Sequence, residues 1–145
     1  MFACQIWHLR MTAEEVYESV TNGGTSDFAE AVEIFERCGR WCLIGGLAVN
    51  CYAEPVYTLD ADFVVIAPNV ATVQGELTKL TGAKSELKIQ LTTDLRYQDF
   101  PARAERREVL GLTIPVAALQ DVVQGKIWAW QDADRRLTKR KKDEL

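Results

Sequence analysis

The chain has 145 residues, 48% of them hydrophobic and 26% charged, with 17 Lys and Arg against 21 Asp and Glu for a net charge of −4. A chain of this length buries about two-thirds of its unfolded surface, so a single domain over 1–145 needs no disulfide or metal staple, and no run approaches the ~18–20 apolar residues of a membrane span. The acidic balance speaks against sequence-independent binding to nucleic acid, which rests on many phosphate contacts.

Residues 1–10 contain Phe2, Ile6 and Trp7 but no basic start, no apolar stretch of signal-peptide length and no small-residue cleavage site, so the cytoplasm is the expected compartment. Met11-Thr12-Ala13-Glu14-Glu15 reads as a beginning of its own, which makes 1–10 a candidate upstream extension. A helix is predicted over 12–20, broken at Asn22-Gly23-Gly24. Ser26 is the expected cap of a second helix over 27–38, where Phe28, Ala31, Val32 and Phe35 recur at helical spacing until Gly39. A strand over 41–44 runs through Gly45-Gly46 into a helix over 47–52, which Glu54-Pro55 stops. A strand over 58–66 precedes Pro68 and a helix over 70–80, and a third strand is predicted over 86–92. The polar stretch 94–106, interrupted by Pro101, reads as a loop or short helix over the sheet. One further strand, 109–116, is interrupted by Gly111, and a helix over 118–131 follows. Trp128 and Trp130 stand two apart on that helix and cannot share a face; one of them is expected to be exposed and to mark a partner surface.

Arg135, Arg136, Lys139, Arg140, Lys141 and Lys142 against Asp143 and Glu144 give the tail +4, leaving −8 for 1–134. Such a tail either meets a phosphate-bearing substrate such as RNA or forms a solvated helix end. The terminal Lys142-Asp143-Glu144-Leu145 spells an endoplasmic-reticulum retention signal, read as coincidence without a signal peptide. Cysteines at 4, 38, 42 and 51 include no Cys-x-x-Cys pair, and His8 is the only histidine, which speaks against a zinc site and against hydrolysis through a placed imidazole. Cys38, Cys42 and Cys51 read as small hydrophobes.

Two segments carry chemistry. Gly45-Gly46, between a strand and a helix, lets backbone N–H groups approach a phosphate, with the helix N-terminus adding positive potential. Asp60 and Asp62 lie two apart in a strand, so both carboxylates project from one face, where such a pair holds Mg²⁺ beside a triphosphate. Thirteen residues separate Gly46 from Asp60.

This order resembles the minimal nucleotidyltransferase fold of the polymerase-β-like superfamily, whose signature is a Gly-Gly or Gly-Ser turn followed by Asp-x-Asp. Ile114 to Ala129, with its internal Lys126, and Lys139 to Asp143 resemble the closing helix of the abortive-infection toxin branch (AbiEii/AbiGii-like), so that the resemblance spans 29–145. It implies an α/β (α+β) fold, a mixed β-sheet with helices packed on it. It further implies transfer of a nucleoside monophosphate from a nucleoside triphosphate to a hydroxyl on RNA or protein, with two Mg²⁺ ions, as part of a toxin–antitoxin or phage-defence pair. Gly45 and Gly46 would cradle phosphates, Asp60 and Asp62 would hold metal, and Thr58 and Lys126 would bind the triphosphate. Two positions depart from the pattern. Gln90 stands in the slot of the third carboxylate and cannot take a proton at neutral pH, leaving Asp94 as the nearest replacement. Val56 stands where the family often places an Arg; Arg96, Arg103, Arg106 and Arg107 are candidates to substitute for it. The alternative is a catalytically degenerate domain of the same fold that binds nucleotide or a protein partner.

Overall fold

The structure is a computed structural model that describes residues 23–53, 55, 58–68, 70–81 and 85–143. The expected helix over 12–20, the candidate extension 1–10 with Cys4 and His8, and Val56 lie outside the described residues.

Helix α1 (Gly24–Cys38) begins earlier than its sequence suggests, and Ser26 is not its cap. Gly23 holds that position at φ 101°, a left-handed conformation open to glycine, and its carbonyl accepts the Asp27 N–H at 3.2 Å. The expected apolar stripe is in place, with Phe28, Ala31 and Phe35 fully buried. Strand β1 (Arg40–Ile44) leads without a loop into the short helix α2 (Gly45–Val49), and β2 (Asp60–Ile66), α3 (Val70–Thr81) and β3 (Lys88–Thr92) follow.

The polar stretch then folds into a turn of 3₁₀ helix (Leu95–Tyr97) and the short α4 (Phe100–Arg103). What reads as one interrupted strand is a hairpin, β4 (Glu105–Val109) paired with β5 (Leu112–Val116). Its two-residue turn, Leu110-Gly111, has φ 49° and 84°, the double positive φ whose twist suits paired strands. Helix α5 (Leu119–Asp143) continues well past 131, through Arg- and Lys-rich sequence of good helix propensity.

The strands form one mixed sheet in the order β3-β2-β1-β5-β4. β1–β2 and β4–β5 are antiparallel, while β1–β5 and β2–β3 are parallel. Alternation along β1 and β2 assigns the two faces. Trp41 and Phe63 point to the α1 side, where their rings meet Phe35 at 5.5 and 4.6 Å between centroids. Asp62 and Ile44, paired in register, point to the other side, toward α5. There Tyr97, Phe100 and Trp128 form an aromatic cluster that seats the α4 region on α5. Tyr52 donates a hydrogen bond to the Ala117 carbonyl at 2.8 Å, fixing the end of the α2 segment to the strand that feeds α5. Among the described residues no helix is long and apolar enough to cross a membrane.

Candidate active site

On the α5 side of the sheet a cleft of about 700 Å³ opens at the carboxyl end of β1. Gly45 and Asp62 meet at its floor: a Cβ on Gly45 would lie 2.3 Å from Asp62 Oδ2 and 3.1 Å from Asp62 Cβ. Gly45 also has φ 74°, so a side chain is excluded by conformation as well as by space. Gly46 is similarly close to Thr58, whose Cγ2 lies 3.3 Å from where a Cβ would stand. The diglycine bend is thus packed directly on the strand that carries the aspartates. Thr58 braces this junction, its Oγ1 accepting the Asp60 N–H at 3.2 Å. Helix α2 has only five residues, so its dipole is small, and any attraction for an anion there would come mostly from its first-turn N–H groups.

The parallel register of β2 and β3 sets Gln90 beside Asp62 and Lys88 beside Asp60. Gln90, Asp94 and Lys126 all line the same cleft as Gly45 and Asp62. Burial pushes the Asp62 carboxyl above the usual carboxylate range, Asp60 pushes it in the same direction, and Lys126 partly opposes them. Two acids on one strand face therefore repel each other where a cation of higher charge would relieve them.

Asp94 lies at the cleft wall with both oxygens engaged. Oδ1 caps the 3₁₀ turn by accepting the Arg96 N–H at 2.9 Å, and Oδ2 accepts from the Arg96 guanidinium at 2.9 and 2.6 Å. These bonds hold its carboxyl below the ordinary range, which makes it a weak proton acceptor. Arg96 also bonds Asp132 at 2.8 Å and covers the Trp128 ring at 5.0 Å, tying the cleft wall to α5.

The sequence reading missed Asp121. This residue is buried at the cleft, in the first turn of α5, where Arg103 grips it bidentately at 2.8 and 3.0 Å. An acid in a helix first turn is common and unremarkable in sequence, whereas a buried one needs a partner, and only the structure brings Arg103 to it. The arginines considered as substitutes are engaged elsewhere: Arg106 bonds the Thr113 carbonyl at 2.9 Å, and Arg107 bonds Glu105 and stacks on Tyr52 at 4.2 Å. Neither lines the cleft. The thiol of Cys42, on the same sheet face, is fully buried and pushed up to about 12 by burial and by Asp121, so it serves as packing and not as a nucleophile.

No family model and no curated protein sequence matches this chain.

For a divalent cation the test is the donor set. Among the described residues no group of three or more His, Cys, Asp or Glu is arranged to hold a metal. Asp62 and the Gln90 amide in the cleft lining, with Asp60 on the same strand face but outside that lining, offer hard oxygen donors only, the chemistry that suits Mg²⁺, an ion that normally takes one or two carboxylates and completes its shell from phosphates and water. The residues fit a substrate-borne Mg²⁺ better than a closed protein cage.

Proposed function

We propose that the cleft binds a nucleoside triphosphate with Mg²⁺ and transfers its nucleoside monophosphate to a hydroxyl on RNA or protein. The observation that carries this reading is the contact of the Gly45 backbone with Asp62, which joins a side-chain-free bend to a carboxylate in a cleft of nucleotide size. In this reading the N–H groups of Gly45 and Gly46 take phosphate oxygens, and Lys126 adds a cation on the facing helix. Asp60 and Asp62 would hold Mg²⁺, with Gln90 as a neutral oxygen donor. When bound, Mg²⁺ neutralises the phosphates and stabilises the attacking and departing oxygens. The acceptor hydroxyl attacks the α-phosphorus, the bond to pyrophosphate breaks, and the hydroxyl proton passes to solvent water, since Gln90 cannot take it. Thr58 acts by holding the bend against β2. A role in phage defence beside an antitoxin-type partner, in the cytoplasm, belongs to the same proposal and rests on the sequence resemblance.

One observation favours a second reading. Gln90 occupies the position beside Asp62 and cannot accept the hydroxyl proton, while the nearby Asp94 is held by Arg96. A domain that binds Mg²⁺–nucleotide without transferring it would have this arrangement. Incubation with each nucleoside triphosphate and candidate acceptors separates the two. Pyrophosphate release with an acceptor heavier by one nucleotide supports transfer, and Gln90→Glu raises its rate by restoring a carboxylate. Mg²⁺-dependent binding with no pyrophosphate from either protein supports the second reading.

A further inference from the structure

Helix α5 gives the cleft two sides of different chemistry. Asp121, Gly125, Trp128 and Asp132 recur along one side of the helix and all meet the segment between β3 and β4. Arg103 grips Asp121, Tyr97 lies on Gly125, Phe100 packs on Trp128, and Arg96 bonds Asp132. Lys126 stands about 140° around the helix from Asp121 at 3.6 residues per turn, turned toward Asp62, on whose carboxyl its charge acts. The cation of the cleft therefore belongs to the aspartate side. The opposite side carries Asp94 and Asp121, each paired with an arginine that does not itself line the cleft. A polyphosphate is drawn to the first side and meets only acceptors on the second.

The two acids of that second side differ. Asp94 is 36% exposed and takes three hydrogen bonds from Arg96. The Asp121 side chain is only 9% exposed, and Arg103 supplies it with two, one on each oxygen. A carboxylate has about four acceptor positions, and among the described residues no other donor reaches Asp121. Buried acceptor capacity is costly to leave unfilled, and Asp121 is part of the cleft lining, so the cleft is where a donor can arrive. Because the Arg103 fork takes one position on each oxygen, what is left receives a single O–H or N–H on either flank and not a second fork. Gly125, one turn further along α5, shapes the space beside it. A Cβ there would stand 3.2 Å from Tyr97 Cε1, so a helix-interior glycine lets the ring lie close against the helix backbone at the cleft.

Resting on the reading of the cleft as a Mg²⁺–nucleotide site, we infer that Asp121 is its specificity-determining residue, accepting one hydrogen bond from the nucleoside half of the triphosphate beside Tyr97 and Gly125. The nucleoside is the uncharged half, and its ribose hydroxyls and base N–H groups are the donors that a phosphate chain lacks. Phosphates on the Lys126 side place that half on the Asp121 side. A nucleotide lacking the donor leaves a buried carboxylate partly unmatched, which is the situation in which one hydrogen bond discriminates strongly.

Binding of α,β-imido triphosphates to the full chain with Mg²⁺ tests this, using the common ribonucleosides, the 2′-deoxy and 3′-deoxy forms of the tightest binder, and inorganic triphosphate. The wild type is expected to lose about tenfold in affinity when the matched donor is removed, the scale of one hydrogen bond to a charged group. Loss with a deoxy form assigns the donor to the ribose, and loss between bases assigns it to the base. Asp121→Ala abolishes that preference and leaves inorganic triphosphate binding unchanged. Asp121→Asn, which keeps the side chain's shape, abolishes it too, because its oxygen turns to Arg103 and its NH₂ then opposes the ligand's donor. A wild type indifferent to base and sugar overturns the inference, as does a preference that survives both variants or an equal loss of inorganic triphosphate. If neither nucleotide nor inorganic triphosphate binds with Mg²⁺, the nucleotide reading of the cleft itself falls, and this inference with it.

Discussion

Gly45→Ala tests the junction on which the site is built. Two costs add. A non-glycine residue at φ 74° costs roughly 1–2 kcal/mol. The new methyl would stand 2.3 Å from Asp62 Oδ2 and 3.1 Å from Asp62 Cβ; the carboxylate must leave its half-buried place and the Cβ is held by the strand, so the overlap adds about 1–2 kcal/mol, most of it from the carboxylate. The expected total is about 2–4 kcal/mol, a fall of roughly 1–2 M in the urea midpoint at the m-value of a small domain. In an Asp62→Ala background the carboxylate part of the overlap is gone, and Gly45→Ala costs about 1 kcal/mol less. Gly75→Ala is the control of opposite sign: it sits in α3 with nothing within 4 Å of its added Cβ and is expected to stabilise by about 0.5–1 kcal/mol. Equal costs for Gly45→Ala in the two backgrounds would refute the contact between bend and carboxylate.

Asp62→Asn changes the pH dependence of stability. Because the folded state raises the Asp62 carboxyl above its usual value, it binds that proton more tightly than the unfolded chain does, and stability falls as pH rises from the unfolded value through the raised one. Urea midpoints from acid to neutral pH should show a smaller fall in the variant, leaving it the more stable protein at neutral pH; parallel curves would contradict the burial and Asp60 repulsion invoked here. Arg103→Ala leaves Asp121 buried without its cation and is expected to cost about 1–3 kcal/mol, discounted because Arg103 is itself half exposed. Adding Asp121→Asn should recover part of that loss, and urea titration of both variants shows whether it does.

The placement of the diglycine bend against the aspartate strand was more legible in the sequence than the elements around it. Gly45-Gly46 and Asp60-Ala61-Asp62 each obey a local rule, a backbone bend that needs no side chain and an alternation that places two acids on one face, and short-range rules survive folding well. The β4–β5 hairpin was hidden because its turn is Leu110-Gly111: leucine rarely takes positive φ, and no Asn-Gly or Asp-Gly marks the spot. Charged Glu105-Arg106-Arg107-Glu108 conceals an edge strand, the position where charge is tolerated and protective. The length of α5 escaped because apolar periodicity thins after Trp130, while propensity alone carries the helix onward. Neither the place of Asp121 at the cleft nor that of Arg96 behind its wall could be read from sequence, since each depends on partners, Arg103 and Asp132, that lie 18 and 36 residues away. Trp128 and Trp130 followed the geometric expectation: the first packs on Phe100 and Tyr97, and the second is exposed.

The most direct test of the proposed site is calorimetric titration of a non-hydrolysable nucleoside triphosphate into the wild-type chain and into Asp60→Ala/Asp62→Ala, each with Mg²⁺ and with a chelator. Binding that requires both Mg²⁺ and the aspartates, in a double variant that melts no lower than wild type, is the predicted result. Equal binding by the two proteins, or binding indifferent to Mg²⁺, would contradict it.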